Sequence, residues 1–169
     1  MARQESLIRV FKYALSQEET GKSFFEQSLG RMTNGAAIDA FKRLVEEEAR
    51  HIIFIQRILE NLAREESFDP AALKELVLEP TDYFDERARG EFLQQCLESS
   101  MIPDVTVFST AWLIEKDLSE FYGNMAGKTD GKAREALLML SHWEKEHEEF
   151  FREYRDKISE LYSNMPWGG

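Results

Sequence analysis

Leu44-Val45-Glu46-Glu47-Glu48-Ala49-Arg50-His51-Ile52-Ile53-Phe54 and Leu140-Ser141-His142-Trp143-Glu144-Lys145-Glu146-His147-Glu148-Glu149-Phe150 are two versions of one pattern. Both carry Leu-x-x-x-Glu-x-x-His-x-x-Phe, and the second lies 96 residues after the first. Residues three and four apart share one face of a helix. The Glu and His of each copy therefore sit on the apolar side of a helix, where one turn can offer a carboxylate and an imidazole to the same metal cluster. A single Glu-x-x-His is weak evidence in a chain this rich in Glu, so the rest of the sequence must decide.

A second pair of echoes does so. Ala14-x-x-x-Glu18 followed by Phe24-Phe25 returns as Ala111-x-x-x-Glu115 followed by Phe121-Tyr122, offset by 97. Glu18 precedes Glu48 by 30 residues, and Glu115 precedes Glu144 by 29. The chain thus reads as an internal repeat of a helix pair, each pair supplying half of a site. Each of the four Glu falls inside an apolar stripe. Glu18 lies among Phe11, Ala14, Leu15 and Phe25, and Glu48 among Leu44, Val45, Ile52 and Ile55. Glu115 lies with Phe108, Ala111, Trp112, Tyr122 and Met125, and Glu144 with Leu137, Leu140, Phe151 and Tyr154.

The periodicity predicts four long helices, over about 4–29, 36–63, 104–126 and from Asp130 to about 162. Gly30 reads as the stop of the first, Thr33-Asn34-Gly35 as a short turn, and Asp130 as the N-cap of the last. Between the second and third, Asp69-Pro70, Glu79-Pro80-Thr81-Asp82 and Pro103 break the pattern. Short helices are predicted at about 70–77 and 85–99 within a long crossover. The order is helix, short turn, helix, crossover, helix, short turn, helix. That is an all-α, ferritin-like four-helix bundle with a long crossover between helices two and three. One domain over 1–169 is expected, with 164–169 as a flexible tail.

Composition excludes several classes. The one cysteine, Cys96, can form neither an internal disulfide nor a four-cysteine metal site, and reads as a half-buried helix residue. No apolar run approaches a membrane span, and the N-terminus lacks a secretory pattern, so a cytoplasmic protein is expected. A net charge of −11 without a basic patch argues against nucleic acid and anionic lipid as partners.

The four inward carboxylates are then the main puzzle. One Glu beside an apolar stripe ordinarily reaches water with its head. Four at matching positions, two with a partnered His, form a cluster that would be costly unless neutralised. Two divalent cations balance four carboxylates and two neutral imidazoles. Oxygen and nitrogen donors without thiolate suit iron or manganese. A Glu from each of two helices, with Glu-x-x-His from the other two, is the ligand set of di-iron and di-manganese bundles. The candidate metal ligands are Glu18, Glu48, His51, Glu115, Glu144 and His147. Glu19, Glu46, Glu47, Glu146 and His142 are read as solvated. Phe25 and Tyr122 are read as core, with a hydrogen bond from Tyr122 to a ligand as the alternative.

At these residues the sequence resembles the rubrerythrin family. The resemblance is carried by Ala14 through Glu18, Phe24-Phe25, Phe41 through His51, Ala111 through Asp117, Phe121-Tyr122 and Glu144 through His147. It implies the same six ligands, with Glu48 and Glu144 as bridging carboxylates, and two iron ions forming a non-haem di-iron centre. It also implies reduction of hydrogen peroxide, or of oxygen, with electrons from a donor protein. Two features depart from the family pattern. The sequence has no four-cysteine rubredoxin-like segment, so an external donor is expected. Leu118 stands where classical members carry an additional Glu, one turn after the third-helix ligand.

The same ligands would also serve ferroxidase activity, iron storage or iron delivery. A di-manganese catalase and a metal-free bundle acting through protein contacts are further alternatives. A homodimer is expected, since bundles of this class often pair along helix faces.

Overall fold

The structure is a computed structural model that describes residues 2–33, 35–77 and 103–164. These residues form five helices: α1 (Ala2–Leu29), α2 (Gly35–Ala63), α3 (Pro70–Val77), α4 (Pro103–Gly127) and α5 (Gly131–Ser163). The described chain is otherwise turn or loop, so the fold is an all-α, ferritin-like helical bundle. The four long helices and α3 match the sequence expectation to within a residue or two at each end. The helix expected at about 85–99, Cys96, and residues 165–169 of the expected tail lie outside the described residues.

α1 packs on α2, and α4 on α5, while α3 rests against α2 and α5. Two apolar clusters fill the bundle, one on either side of a polar layer. The first holds Phe25, Phe41, Leu44, Phe108, Ala111, Phe150, Phe151 and Tyr154. Its rings are in contact: Phe108 stacks on Tyr154 at 3.8 Å, and Phe41 meets Phe108 at 5.3 Å. The second holds Phe11, Ala14, Phe54, Ile55, Ile58, Leu118, Tyr122, Leu137 and Leu140.

The order in which each helix crosses these clusters gives its direction. α1 runs from the second cluster past Glu18 to the first. α2 and α4 run the opposite way, past Glu48 and Glu115, and α5 runs as α1 does, past Glu144. α2 and α4 are therefore parallel. A tight hairpin reverses the chain and cannot connect parallel helices, which is the physical reason for the long crossover between them.

The helix ends follow local chemistry. Glu66 donates its N–H to the Asn61 carbonyl at 2.9 Å and Glu65 donates to Leu62 at 3.2 Å. Glu65 has φ 57°. This is a Schellman cap with Glu, not glycine, at the left-handed position. Gly30 ends α1 differently: Arg31 donates to the Ser28 carbonyl at 3.0 Å, and glycine's left-handed freedom is not used.

Candidate metal centre

Each long helix delivers one buried Glu to the layer between the two clusters, and α2 and α5 add a histidine one turn later. Glu18, Glu48, Glu115 and Glu144 are fully buried, and His51 and His147 nearly so. All six sequence-derived candidates thus come together. Their apolar neighbours explain why: Ala14, Leu44, Ala111 and Leu140, one turn before each Glu, are buried, and so fix which face of the helix turns inward.

The donors divide into two sets. Glu18, Glu48, His51 and Glu144 bring one donor atom each within 4.8 Å of one another, and so do Glu48, Glu115, Glu144 and His147. Glu48 and Glu144 belong to both. Glu48 turns Oε2 to His51 Nδ1 at 3.7 Å and Oε1 to His147 Nδ1 at 3.3 Å. Glu144 places Oε1 2.7 Å from His51 Nδ1 and Oε2 3.6 Å from His147 Nδ1. Each shared carboxylate therefore presents one oxygen to each set. Glu18 Oε2 lies 3.8 Å from His51 Nδ1, and Glu115 Oε2 lies 3.6 Å from His147 Nδ1.

Most of these buried atoms lack a partner of hydrogen-bond geometry. They include Glu18 Oε2, both oxygens of Glu48, Glu115 and Glu144, and His51 Nδ1. Such atoms cost roughly 1–3 kcal/mol each when left unsatisfied, more when charged. Two divalent ions among these oxygen and nitrogen donors would satisfy them and balance their charge, so the residues fit a two-metal centre.

The ionisation of the layer reflects the same crowding. Burial, then the charges of Glu144 and Glu48, raises the Glu18 carboxyl well above its ordinary range. Burial, then Glu48 and Glu144, does the same to Glu115. Burial also opposes ionisation of Glu48, but the imidazoles of His147 and His51 beside it outweigh it and hold that carboxyl low. For Glu144, burial and the charge of Glu48 are outweighed by His51 and His147, and its carboxyl is lowered. Burial disfavours the imidazolium of both histidines, yet the surrounding carboxylates raise both. Without metal the layer thus favours proton uptake at Glu18, Glu115 and both imidazoles, and ionisation at Glu48 and Glu144.

One residue beside the centre corrects the sequence reading. Glu47, expected to be solvated, has its side chain only 16% exposed, and its Oε2 lies 2.7 Å from His147 Nε2. Helical spacing on α2 points Glu47 away from Glu48; only the packing of α5 brings His147 beneath it. The repeat held a usable signal, because position 47 corresponds to Trp143, which is not a solvated residue type. Trp143 in turn stacks on His51 at 5.1 Å with 16° between the planes. Tyr122 is buried and donates its hydroxyl to Glu18 Oε1, so it is both core and ligand partner. Glu19 and Glu46 are exposed. His142 is 71% exposed and faces Glu146 at 3.5 Å, away from the centre. Glu148 is buried beside His147 but pairs with Lys145 Nζ at 2.6 Å and stays outside both donor sets.

The fold and this layer define a ferritin-like helical bundle with a buried carboxylate–histidine metal centre. Comparison with known families agrees, since the family model described as Rubrerythrin matches residues 9–155. The chain belongs to the rubrerythrin family. No curated protein and no solved structure matches it. Among the described residues no helix is long and apolar enough to cross a membrane.

Proposed function

We propose that this protein reduces hydrogen peroxide at a two-iron centre, drawing electrons from an external donor protein. The observation that carries this reading is the sharing of Glu48 and Glu144 between two donor sets. Metal ions held by these two donor sets would share both carboxylates and could act together on one O–O bond. Peroxide takes up two electrons and two protons and yields two waters; two bound iron ions would supply the electrons, one each.

The chain's own residues have separable tasks in this reading. Glu48 and Glu144 hold the two positions together. His51 and His147 turn Nδ1 inward, and Glu47 accepts the Nε2–H of His147, which leaves the Nδ1 lone pair for the metal. Tyr122, kept a neutral phenol by burial and by the charge of Glu18, holds its proton against Glu18. The two apolar clusters exclude bulk water. A groove of about 340 Å³ between α1 and α4 is lined by Tyr13, Gln17, Gly21, Leu118 and Phe121. Gly21 and Leu118 stand one turn beyond Glu18 and Glu115, so this groove is a candidate approach to the centre for a small oxidant.

Leu118 favours a second reading. It is buried and apolar, and stands where the family pattern places an additional Glu, so the site has the donor set of a plain ferritin-like centre. In this reading ferrous iron is the substrate, oxidised by oxygen for storage or delivery. Metal analysis of protein purified without a tag or added metal comes first, and two irons per chain is the expected result. The reduced protein, mixed anaerobically with oxidant, should then oxidise faster with hydrogen peroxide than with oxygen. Equal or inverted rates would transfer support to ferroxidase activity, as would a shell-sized particle by native mass. Two manganese ions with peroxide disproportionation would indicate a catalase.

A further inference from the structure

The internal repeat makes the two halves of the centre comparable residue by residue, and they differ at two places. The offset of 97 that relates Glu18 to Glu115 also relates Phe25 to Tyr122. Tyr122 donates its hydroxyl to Glu18 Oε1. Phe25 has no hydroxyl to offer; its ring packs on Phe41 at 5.8 Å and on Phe151 at 6.4 Å. Accordingly only Oε2 of Glu18 lacks a partner, whereas both oxygens of Glu115 do. The offset of 96 that relates His51 to His147 relates Glu47 to Trp143. Each of these residues meets the histidine of the other half: Glu47 bonds His147 Nε2 at 2.7 Å, while Trp143 stacks its indole on His51.

Both differences act in the same sense. At the position formed by Glu48, Glu115, Glu144 and His147, Glu115 can chelate with two oxygens. The imidazole there is oriented by a carboxylate, which also makes it a stronger donor. At the position formed by Glu18, Glu48, His51 and Glu144, Tyr122 occupies one oxygen of Glu18, and among the described residues the carboxylates beside His51 all face its Nδ1, with none bonded to its second nitrogen as Glu47 is to that of His147. We infer that the two metal positions are inequivalent: the Glu115–His147 position takes the first divalent ion, and the Glu18–His51 position takes the second, more weakly. This rests on the metal-centre reading, not on the choice between peroxide reduction and ferroxidase activity.

Cobalt(II) tests it without turnover. The metal-free protein is titrated with Co²⁺ and followed by its visible absorption, with folding checked by circular dichroism. Two resolved equivalents are expected. Glu47→Gln should weaken the first equivalent by about 10–100-fold and leave the second in place. Tyr122→Phe, which frees an oxygen of Glu18, should tighten the second and leave the first unchanged, so the gap between them narrows. A single unresolved step for both ions overturns the inference, as does a Glu47→Gln effect shared equally by the two equivalents. An effect of Tyr122→Phe on the first equivalent alone does so too. Absence of any cobalt uptake removes the metal-centre reading along with it; two equal equivalents remove only the inequivalence.

Discussion

Glu115 shows the tension at the scale of a residue. Both of its oxygens are buried without a hydrogen-bond partner, and burial, then Glu48 and Glu144, raises its carboxyl well above the ordinary range. His147, whose Nδ1 lies 3.6 Å from Oε2, offsets only part of the cost of placing it there. Glu115→Leu should therefore stabilise the metal-free protein by about 1–3 kcal/mol, the usual cost of an unsatisfied buried polar group. The same substitution should lower the metal content from two ions per chain to one or none. Thermal melts of the metal-free form and metal analysis of the loaded form check the two halves of this prediction. Opposite signs are the signature of a residue kept for a ligand. His51→Ala should also lower metal content.

At the scale of an element, the end of α2 carries a strain of its own. Glu65 sits at φ 57° in the Schellman cap. Left-handed backbone costs an L-residue with a Cβ roughly 1–2 kcal/mol. Glu65→Gly removes that cost and gives back part of it as unfolded-chain entropy. A net gain of about 0.5–1 kcal/mol is expected, which for a chain of this size is a rise in Tm of about 1–4 °C. An unchanged or lower Tm would show that the Glu65 side chain makes a compensating contact. The cap itself was not legible in the sequence, because Glu is not the residue that announces a left-handed position. The helix end at Ala63 was legible, since the apolar periodicity stops there.

At the scale of the whole molecule, the centre couples stability to pH and to metal. The imidazolium forms of His51 and His147 are favoured in the fold. Their contribution is full below the ordinary value of 6.5 and is lost as pH rises through their raised values. The raised carboxyls of Glu18 and Glu115 act in the same sense: their contribution is full below 4.5 and is lost as pH rises through their raised values. Glu48 and Glu144 act oppositely: their contribution is present above the ordinary carboxylate value of 4.5 and is lost as pH falls. The metal-free protein should thus lose Tm on the acid side below 4.5, and again on the alkaline side above 6.5. Two divalent ions demand four carboxylates and two neutral imidazoles, so metal loading should release protons from the groups whose protonated forms the fold favours, Glu18, Glu115, His51 and His147. Metal affinity should rise with pH where the metal-free protein weakens. Melts across pH with and without metal, and proton release into a weakly buffered indicator, measure both. A metal-free Tm that keeps rising from pH 6.5 to 9 would contradict the ionisation pattern described here.

Much of this architecture could be read from the chain alone, and for a simple reason. Helical periodicity is local, so Leu44, Glu48, His51 and Phe54 must share a face wherever the helix goes. The internal repeat doubled that information and made all six inward residues visible. The long interruption between the second and third helices implied a crossover, and the parallel run of α2 and α4 is what makes a crossover necessary. The features that break the repeat were legible only in part, because they depend on contacts between helices. Glu47 looks solvated on α2 and becomes a partner of His147 only when α5 packs against it. Tyr122 reaches Glu18 from a position 104 residues away. Which oxygen of each shared carboxylate faces which histidine is likewise a property of four helices held at fixed distances. The sequence by itself determined which residues enter the centre, since helix geometry sets that turn by turn. Only the tertiary structure decided how the centre is divided in two and why its halves differ, since those distinctions exist only between side chains that the fold brings together.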